Sequence, residues 1–199
     1  MLKPYFQEEF SEAGLDEAGR GCYAGPVFAA AVMLSKDFHH PLINDSKKLL
    51  ASQRETLRTY IEENALCYAV ASVDNNEIDE INILKASFKA MHLALDALNV
   101  KPGMLLIDGN RFTAWKKTPH QCIVKGDGLY ASIAAASILA KTYRDEYMNG
   151  IHEEFPQYGW AQNKGYGTTA HRNAIEEYGL CIYHRKSFNI APVQLKINF

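Results

Sequence analysis

Apolar residues recur along this chain in two rhythms: short runs of strand length, and longer stretches with gaps of three and four. Gly14-Leu15-Asp16 leads into a glycine-rich turn and an apolar run follows from Pro26 to Leu34, so two adjacent strands are predicted at the start. After the polar break Asp45-Ser46-Lys47-Lys48-Leu49, Ser52 and Glu55 have the spacing of a capping box, which predicts a helix from about Ser52 to Asn64. Ala65 to Val73 reads as a strand and Asp74-Asn75-Asn76 as its turn. Ile81, Leu84, Phe88, Met91, Leu95 and Leu98 fall on one face of a helix that ends near Asn99, before Pro102. Met104 to Ile107 is a buried strand whose carboxyl end opens at Asp108-Gly109-Asn110, where α/β proteins place their sites. Gln121 to Val124 predicts another strand, Lys125 to Gly128 a turn, and Tyr130 to Met148 an alanine-rich helix; Thr168 caps a last helix that ends at Gly179.

The predicted order, β-β-α-β-α-β-β-α-α, has strand pairs early and a βαβ crossover later, and implies a mixed sheet flanked by helices in an α/β fold. The chain has 199 residues, 47% hydrophobic and 22% charged, which suits one domain over 1–199. Residues 1–186 are its expected body and 187–199, with Pro192 and no periodicity, a loosely attached tail. No stretch nears the roughly 18 apolar residues of a membrane span, and Met1-Leu2-Lys3-Pro4-Tyr5 lacks a signal peptide's apolar run, so a cytoplasmic protein without membrane contact is expected. Nothing suggests an obligate dimer, and a monomer is expected. Cys22, Cys67, Cys122 and Cys181 lie too far apart for zinc or redox motifs and read as reduced thiols, mostly buried. A net charge of -2 excludes global attraction to a polyanion, so a nucleic-acid surface must be a local basic patch or must borrow charge from metal ions.

Asp16 and Glu17 before Ala18-Gly19-Arg20-Gly21, Asp108 before Gly109, and Asp127 between glycines all sit beside or near glycines at predicted strand ends or turns. Brought together, such acids repel unless cations lie among them, and an oxygen-only set favours magnesium or manganese over zinc or copper. Two such ions about 3.5–4 Å apart suit phosphodiester hydrolysis. Singly, each acid is equally a turn residue or helix cap. Strand neighbours point to opposite faces, so Asp16 and Glu17 share a site only if the strand ends or bends there, as the following glycines suggest. Gly19-Arg20-Gly21 offers backbone N–H groups and a cation to a ligand, and Lys164-Gly165-Tyr166-Gly167 puts an aromatic ring and a cation before a helix start; either is otherwise an ordinary turn. Lys47, Lys48, Lys125, Lys141, Arg144, His184, Arg185 and Lys186 are the candidates for a local positive surface, or simply scattered surface charge. Asp145 is either an ion-pair partner near the site or a solvated acid.

Taken in order, these segments resemble the ribonuclease HII family. The likeness runs from Gly14 to Gly21 through Ala24-Gly25-Pro26-Val27, Asp45 to Leu49, Ile107 to Asn110 and Val124 to Asp127. It continues through Ala131 to Ile138, which includes Ser132, then Lys141, Arg144 and Asp145, Lys164 to Thr168, and His184-Arg185-Lys186-Ser187-Phe188. The resemblance implies a ribonuclease H-like fold and a two-metal endonuclease, using Mn2+ or Mg2+, that acts on RNA–DNA hybrids and ribonucleotide-containing duplex DNA and leaves a 3′-hydroxyl and a 5′-phosphate. It implies Asp16, Glu17, Asp108 and Asp127 as catalytic metal ligands, Gly19, Arg20 and Gly21 as contacts of the 2′-hydroxyl, and Tyr166 as the ring that packs on the sugar. Lys47, Lys48, Ser132, Lys164 and Arg185 join these as expected substrate contacts. Cys22 stands where many members have proline, which bears on the rigidity and oxidation of that turn, and Gly128 replaces a more usual alanine or serine. The short lead-in before Gly14 argues for this type over the related ribonuclease HIII, which carries an added N-terminal domain.

Gln194-Leu195-Lys196-Ile197-Asn198-Phe199 resembles the peptides by which bacterial replication proteins bind the sliding clamp, and makes the clamp an expected partner. Two other readings remain. One is a two-metal DNA nuclease or resolvase of the same broad fold, which would not need a turn and a ring that read a ribose. The other is a non-catalytic hybrid-binding protein, which would not need the acids.

Overall fold

The computed structural model describes residues 2–38, 40–43 and 49–190. Strands β1 (Glu12–Ala18), β2 (Val27–Met33), β3 (Cys67–Val73), β4 (Met104–Asp108) and β5 (His120–Ile123) form one sheet in the order β3-β2-β1-β4-β5. β1 and β3 lie antiparallel to β2, whereas β4 runs parallel to β1 and to β5, so the sheet is mixed as expected.

The helices are α1 (Ala51–Asn64), α2 (Asn75–Ile81), α3 (Ile83–Ala97), α4 (Ala131–Glu154), α5 (Trp160–Asn163) and α6 (Thr169–Tyr178). Capping differs from the sequence reading in two places. α1 starts before Ser52, and the Ser52–Glu55 box gives way to the Leu50 N–H donating to Gln53 Oε1 at 2.8 Å. Asp74 opens a helix instead of a turn, its carboxylate accepting the Glu77 N–H at 2.9 Å. Asn82, at φ 69°, then breaks the chain and caps α3 through bonds from the Leu84 and Lys85 N–H groups, which leaves Ile81 in the preceding helix.

Strand alternation sorts the core into two layers. Leu15, Ala29, Ala31, Leu105 and Ile107 pack under α3; Ala30 and Val32 pack under α1 and α4, with Leu57, Ile61, Ala134, Ile138 and Leu139. The α3 stripe sits deeper than its large residues suggest. Ala86, Ala90 and Ala94 are fully buried beside Met91 and Leu95, while Phe88 and Leu98 flank them, because small side chains let the helix come close to the sheet. A third cluster, with Ala24, Met148, Tyr158, Trp160 and Ala174, ties the C-terminal helices to the segment after β1.

The Lys186 and Ser187 N–H groups donate to the Asp79 carboxylate at 2.8 and 2.9 Å, and the Arg185 guanidinium lies over the Phe188 ring, so attachment runs past residue 187. Among the described residues no helix is long and apolar enough to cross a membrane.

Gly14 marks the closest approach of β1 and α4: a Cβ there would stand 2.2 Å from the Ser132 carbonyl carbon, against backbone that cannot swing aside. Gly14→Ala is therefore expected to cost about 1–3 kcal/mol or more by overpacking. Urea unfolding of the two proteins measures it, and equal midpoints would contradict this packing.

Candidate active site

Parallel pairing sets the first two acids side by side. Leu15 is the register partner of Ile107, so Asp16 and Asp108 follow each other at the carboxyl ends of adjacent strands. β1 does not end or bend at the acids as expected; it stays paired with β2 through Ala18 and Phe28. Asp16 therefore faces α4, where the Ser137 hydroxyl bonds it, and Glu17 faces α3. Glu17 lines a groove of about 290 Å³ with Arg20, Leu84, Phe88, Met91, Asp108, Asn110 and Arg111. Asp108, at the last position of its strand, touches both environments: it faces this groove and acts electrostatically on Asp16. Its Oδ1 accepts the Gly126 N–H at 2.7 Å, which fixes the turn carrying the buried Asp127. A larger hollow of about 610 Å³ near Leu2, Phe38 and Ala131 holds none of the four acids.

Asp16 is 5% exposed. Burial holds its carboxyl well above the usual carboxylate range, and the charges of Glu17 and Asp108 add to this. The Ser137 hydroxyl and the Glu17 N–H, 2.7 Å from Oδ1, oppose the shift only in part. Among the described residues no three of His, Cys, Asp and Glu already converge as ligands. Glu17 is instead held by Arg20, Nη1 to Oε1 at 3.0 Å. The donor set fits a hard divalent cation, since oxygen ligands and unrelieved negative charge at a buried carboxylate are what such an ion satisfies.

Two buried arginines shape the turn beyond the acids. Arg144 donates to the carbonyls of Pro26, Lys164 and Ala24 at 3.0, 2.8 and 3.1 Å, and Arg185 to those of Gly25 and Arg20 at 2.9 and 3.0 Å. Gly19, at φ 96°, passes so close to Arg144 that a Cβ would lie 2.0 Å from Nε. Gly21 and the Arg20 side chain stay open to solvent. Cys22 pairs with Tyr166 in an antiparallel bridge, and the Tyr23 N–H donates to the Gly165 carbonyl at 2.7 Å, bringing the half-exposed Tyr166 ring beside the turn.

Several expected contacts fall elsewhere. Arg185 is fully buried and donates to the carbonyls of Gly25 and Arg20; Arg144 and His184, named for a positive surface, are likewise interior. Ser132 is buried against Gly14 near the opposite end of β1, with its hydroxyl unpartnered, so it is not beside the acids. Lys164 is turned to Asn149 and to the Ala161 carbonyl. Lys141 and Asp145 pair with each other, while Lys125 and Lys186 are exposed. Lys47, Lys48 and Gln194 to Phe199 lie outside the described residues. All four cysteines are free, and burial pushes the Cys22 thiol up, away from the reactive thiolate. The sequence does not single out Ser137, one of three buried hydroxyls on an alanine-rich helix with Ser132 and Thr142.

A family model described as ribonuclease HII matches residues 13–191. A ribonuclease HII of Bacteroides thetaiotaomicron is 60% identical over the full length of both chains. Among solved structures, ribonuclease H2 from Pyrococcus horikoshii superposes with a TM-score of 0.78 at 25% identity, covering 90% of this chain and 94% of that one. The ribonuclease HII of Archaeoglobus fulgidus, solved in complex with PCNA, gives 0.72 at 25% identity, covering 88% and 94%.

Because the folded state raises the Asp16 pKa, it binds a proton more readily than the unfolded chain, so Asp16 costs stability as pH rises from the ordinary carboxylate range through the raised value. Asp16→Asn removes the charge and keeps a carbonyl oxygen to accept the Glu17 N–H. In chelator it is expected to melt higher than wild type at pH 7, with the gain shrinking as pH falls. A thermal melt series from pH 4 to 8 decides; a variant less stable at every pH contradicts the electrostatic picture.

Proposed function

The chain belongs to the ribonuclease HII family, and on that premise we propose that Asp16, Glu17, Asp108 and Asp127 are the metal ligands of its ribonuclease H activity. The enzyme hydrolyses the RNA strand of RNA–DNA hybrids. The observation that carries the site assignment is the buried Asp16 carboxyl, pressed by Glu17 and Asp108 at the strand ends and one turn away from Gly19-Arg20-Gly21. Mg2+ or Mn2+, one ion or two, bound there supplies activation of water and stabilisation of the leaving 3′ oxygen. The products are then a 3′-hydroxyl and a 5′-phosphate.

The protein's own groups supply orientation and choice. Ser137 and the Gly126 N–H hold Asp16 and Asp108 at fixed angles, so the acids meet a cation without rearranging their strands. Arg20, paired with Glu17 and open to solvent, would serve as a partner for phosphate or sugar once Glu17 were engaged by a cation. The Gly19–Gly21 turn presents backbone N–H groups to the 2′-hydroxyl and Tyr166 packs on the neighbouring sugar, which separates RNA from DNA. The enzyme accordingly nicks duplex DNA on the 5′ side of an embedded ribonucleotide.

An end-labelled DNA duplex with one ribonucleotide, incubated with Mg2+, with Mn2+ and with chelator beside an all-DNA control, tests this. A metal-dependent nick in the first duplex alone is expected, and Asp108→Asn should lower its rate by about 10³-fold or more while the fold persists. Cutting of both duplexes, or wild-type turnover in the variant, overturns the reading.

Gln194 to Phe199 serve as a sliding-clamp peptide, a reading supported by their sequence and by the Archaeoglobus relative solved with PCNA. Deleting them is expected to abolish clamp binding in a pull-down and to leave nicking of a short duplex unchanged; retained clamp binding refutes it.

A further inference from the structure

Behind the Tyr166 loop, in the third cluster, lie two fully buried histidines that the reaction as described does not use. Fixed donors determine their protons. The Cys181 backbone N–H donates to His184 Nδ1 at 3.0 Å, so a neutral His184 carries its proton on Nε2. The Trp160 indole N–H donates to His171 Nε2 at 3.1 Å, so His171 carries its proton on Nδ1, 2.9 Å from the Tyr166 carbonyl. The remaining contact, 3.2 Å between the two Nε2 atoms, then has one donor, His184, and one acceptor, His171, whose single Nε2 lone pair the Trp160 and His184 N–H groups share.

We propose that His171 and His184 are positioning residues that hold Tyr166 against the sugar, and that they do so only as a neutral pair in opposite tautomers. The proposal rests on the reading of Tyr166 as the sugar contact. Protonating His171 Nε2 would oppose a hydrogen to both Trp160 and His184; protonating His184 Nδ1 would oppose one to the Cys181 N–H. Either event breaks the chain that ends on the Tyr166 carbonyl. Burial lowers both histidines below their ordinary value, His184 to about 4 with the neighbouring His171 contributing, so the pair is built to stay neutral. The titratable groups facing it are Cys181 and Tyr158 beside His184, and Tyr23 and Tyr158 beside His171. The next residue, Arg185, holds the Arg20 carbonyl, so the adjacent pair His184-Arg185 fastens both halves of the ribose-reading surface.

Long-range ¹⁵N imidazole spectra of the full chain at pH 7 read the tautomers directly. Protonated Nδ1 on His171 and Nε2 on His184 are expected, persisting to well below pH 6; a charged ring or two like tautomers at pH 7 overturns the proposal without any substitution. Kinetics then test the link to Tyr166. His171→Leu, which removes the donor, is expected to lower kcat/KM for nicking at a single ribonucleotide about tenfold, whereas His171→Asn, which keeps a donor, loses less than about threefold. In a Tyr166→Ala background His171→Leu should add less than about twofold, because both changes remove one interaction. If Tyr166→Ala is itself inert, the sugar-contact reading falls and the proposal with it. If Tyr166→Ala is severe and His171→Leu still multiplies its effect, the proposal alone falls. Should His171→Leu not fold, His171→Asn and the wild-type spectra carry the same decision.

Discussion

Repulsion among carboxylates at the ends of β1 and β4 is the constraint around which the rest is arranged. Parallel pairing brings Asp16 beside Asp108, and the chain order brings Glu17 with it. A folded chain does not hold such charges together at no cost, and the raised pKa of Asp16 is that cost expressed as proton affinity. The surrounding bonds limit it without removing it. Ser137 and two backbone N–H groups satisfy oxygens, and Arg20 takes up Glu17. A divalent cation at the proposed site would take over what these partners begin, so affinity for metal and strain in the metal-free site would have the same origin.

This arrangement needs rigid surroundings, which buried arginines provide. Arg144 and Arg185 each gather carbonyls from segments distant in sequence, which satisfies both the guanidinium and the oxygens of irregular chain that no strand or helix pairs. The turn at Gly19 can be tight because it packs on Arg144 without a side chain of its own. Recognition groups on loops thereby gain the fixity of a sheet.

How much of this was legible in the sequence follows from what each signal measures. Apolar runs report burial, and the five strands stood close to where those runs predicted, whereas α4 runs on to Glu154, six residues beyond the expected end at Met148. Capping signals report local chemistry only, so Ser52 and Glu55 lost to Gln53, and Asp74 proved to be a cap where a turn was expected. Asp16, Glu17 and Asp108 were picked out by their places beside strand ends, but not their division between two faces, because the glycines that suggested a bend come after β1 has kept its pairing through Ala18. Charge misled most. Arg144, His184 and Arg185 read as surface because their residue types usually are, and only tertiary partners explain their burial: carbonyls for the two arginines, His171 and the Cys181 N–H for His184. His171 carried no signal, since its role depends on Trp160 and His184 arriving from other segments.

The same correction changes how the molecule must engage a polyanion. Of the cations the sequence offered, Arg144 and Arg185 are interior, Lys141 is paired with Asp145, Lys164 is turned to Asn149 and Ala161, and Arg20 is paired with Glu17. Lys125 and Lys186 stay exposed, and Arg111 lines the groove beside Glu17 and Asp108, so with a net charge of -2 the positive surface is local and not global. Under the proposed reading, binding would draw as well on backbone donors, on the Tyr166 ring and on cations held by the acids, the first two of which would read the sugar. The absence of a net positive charge keeps global attraction to duplex DNA low, which under the proposed reading leaves the 2′-hydroxyl a larger share of the discrimination.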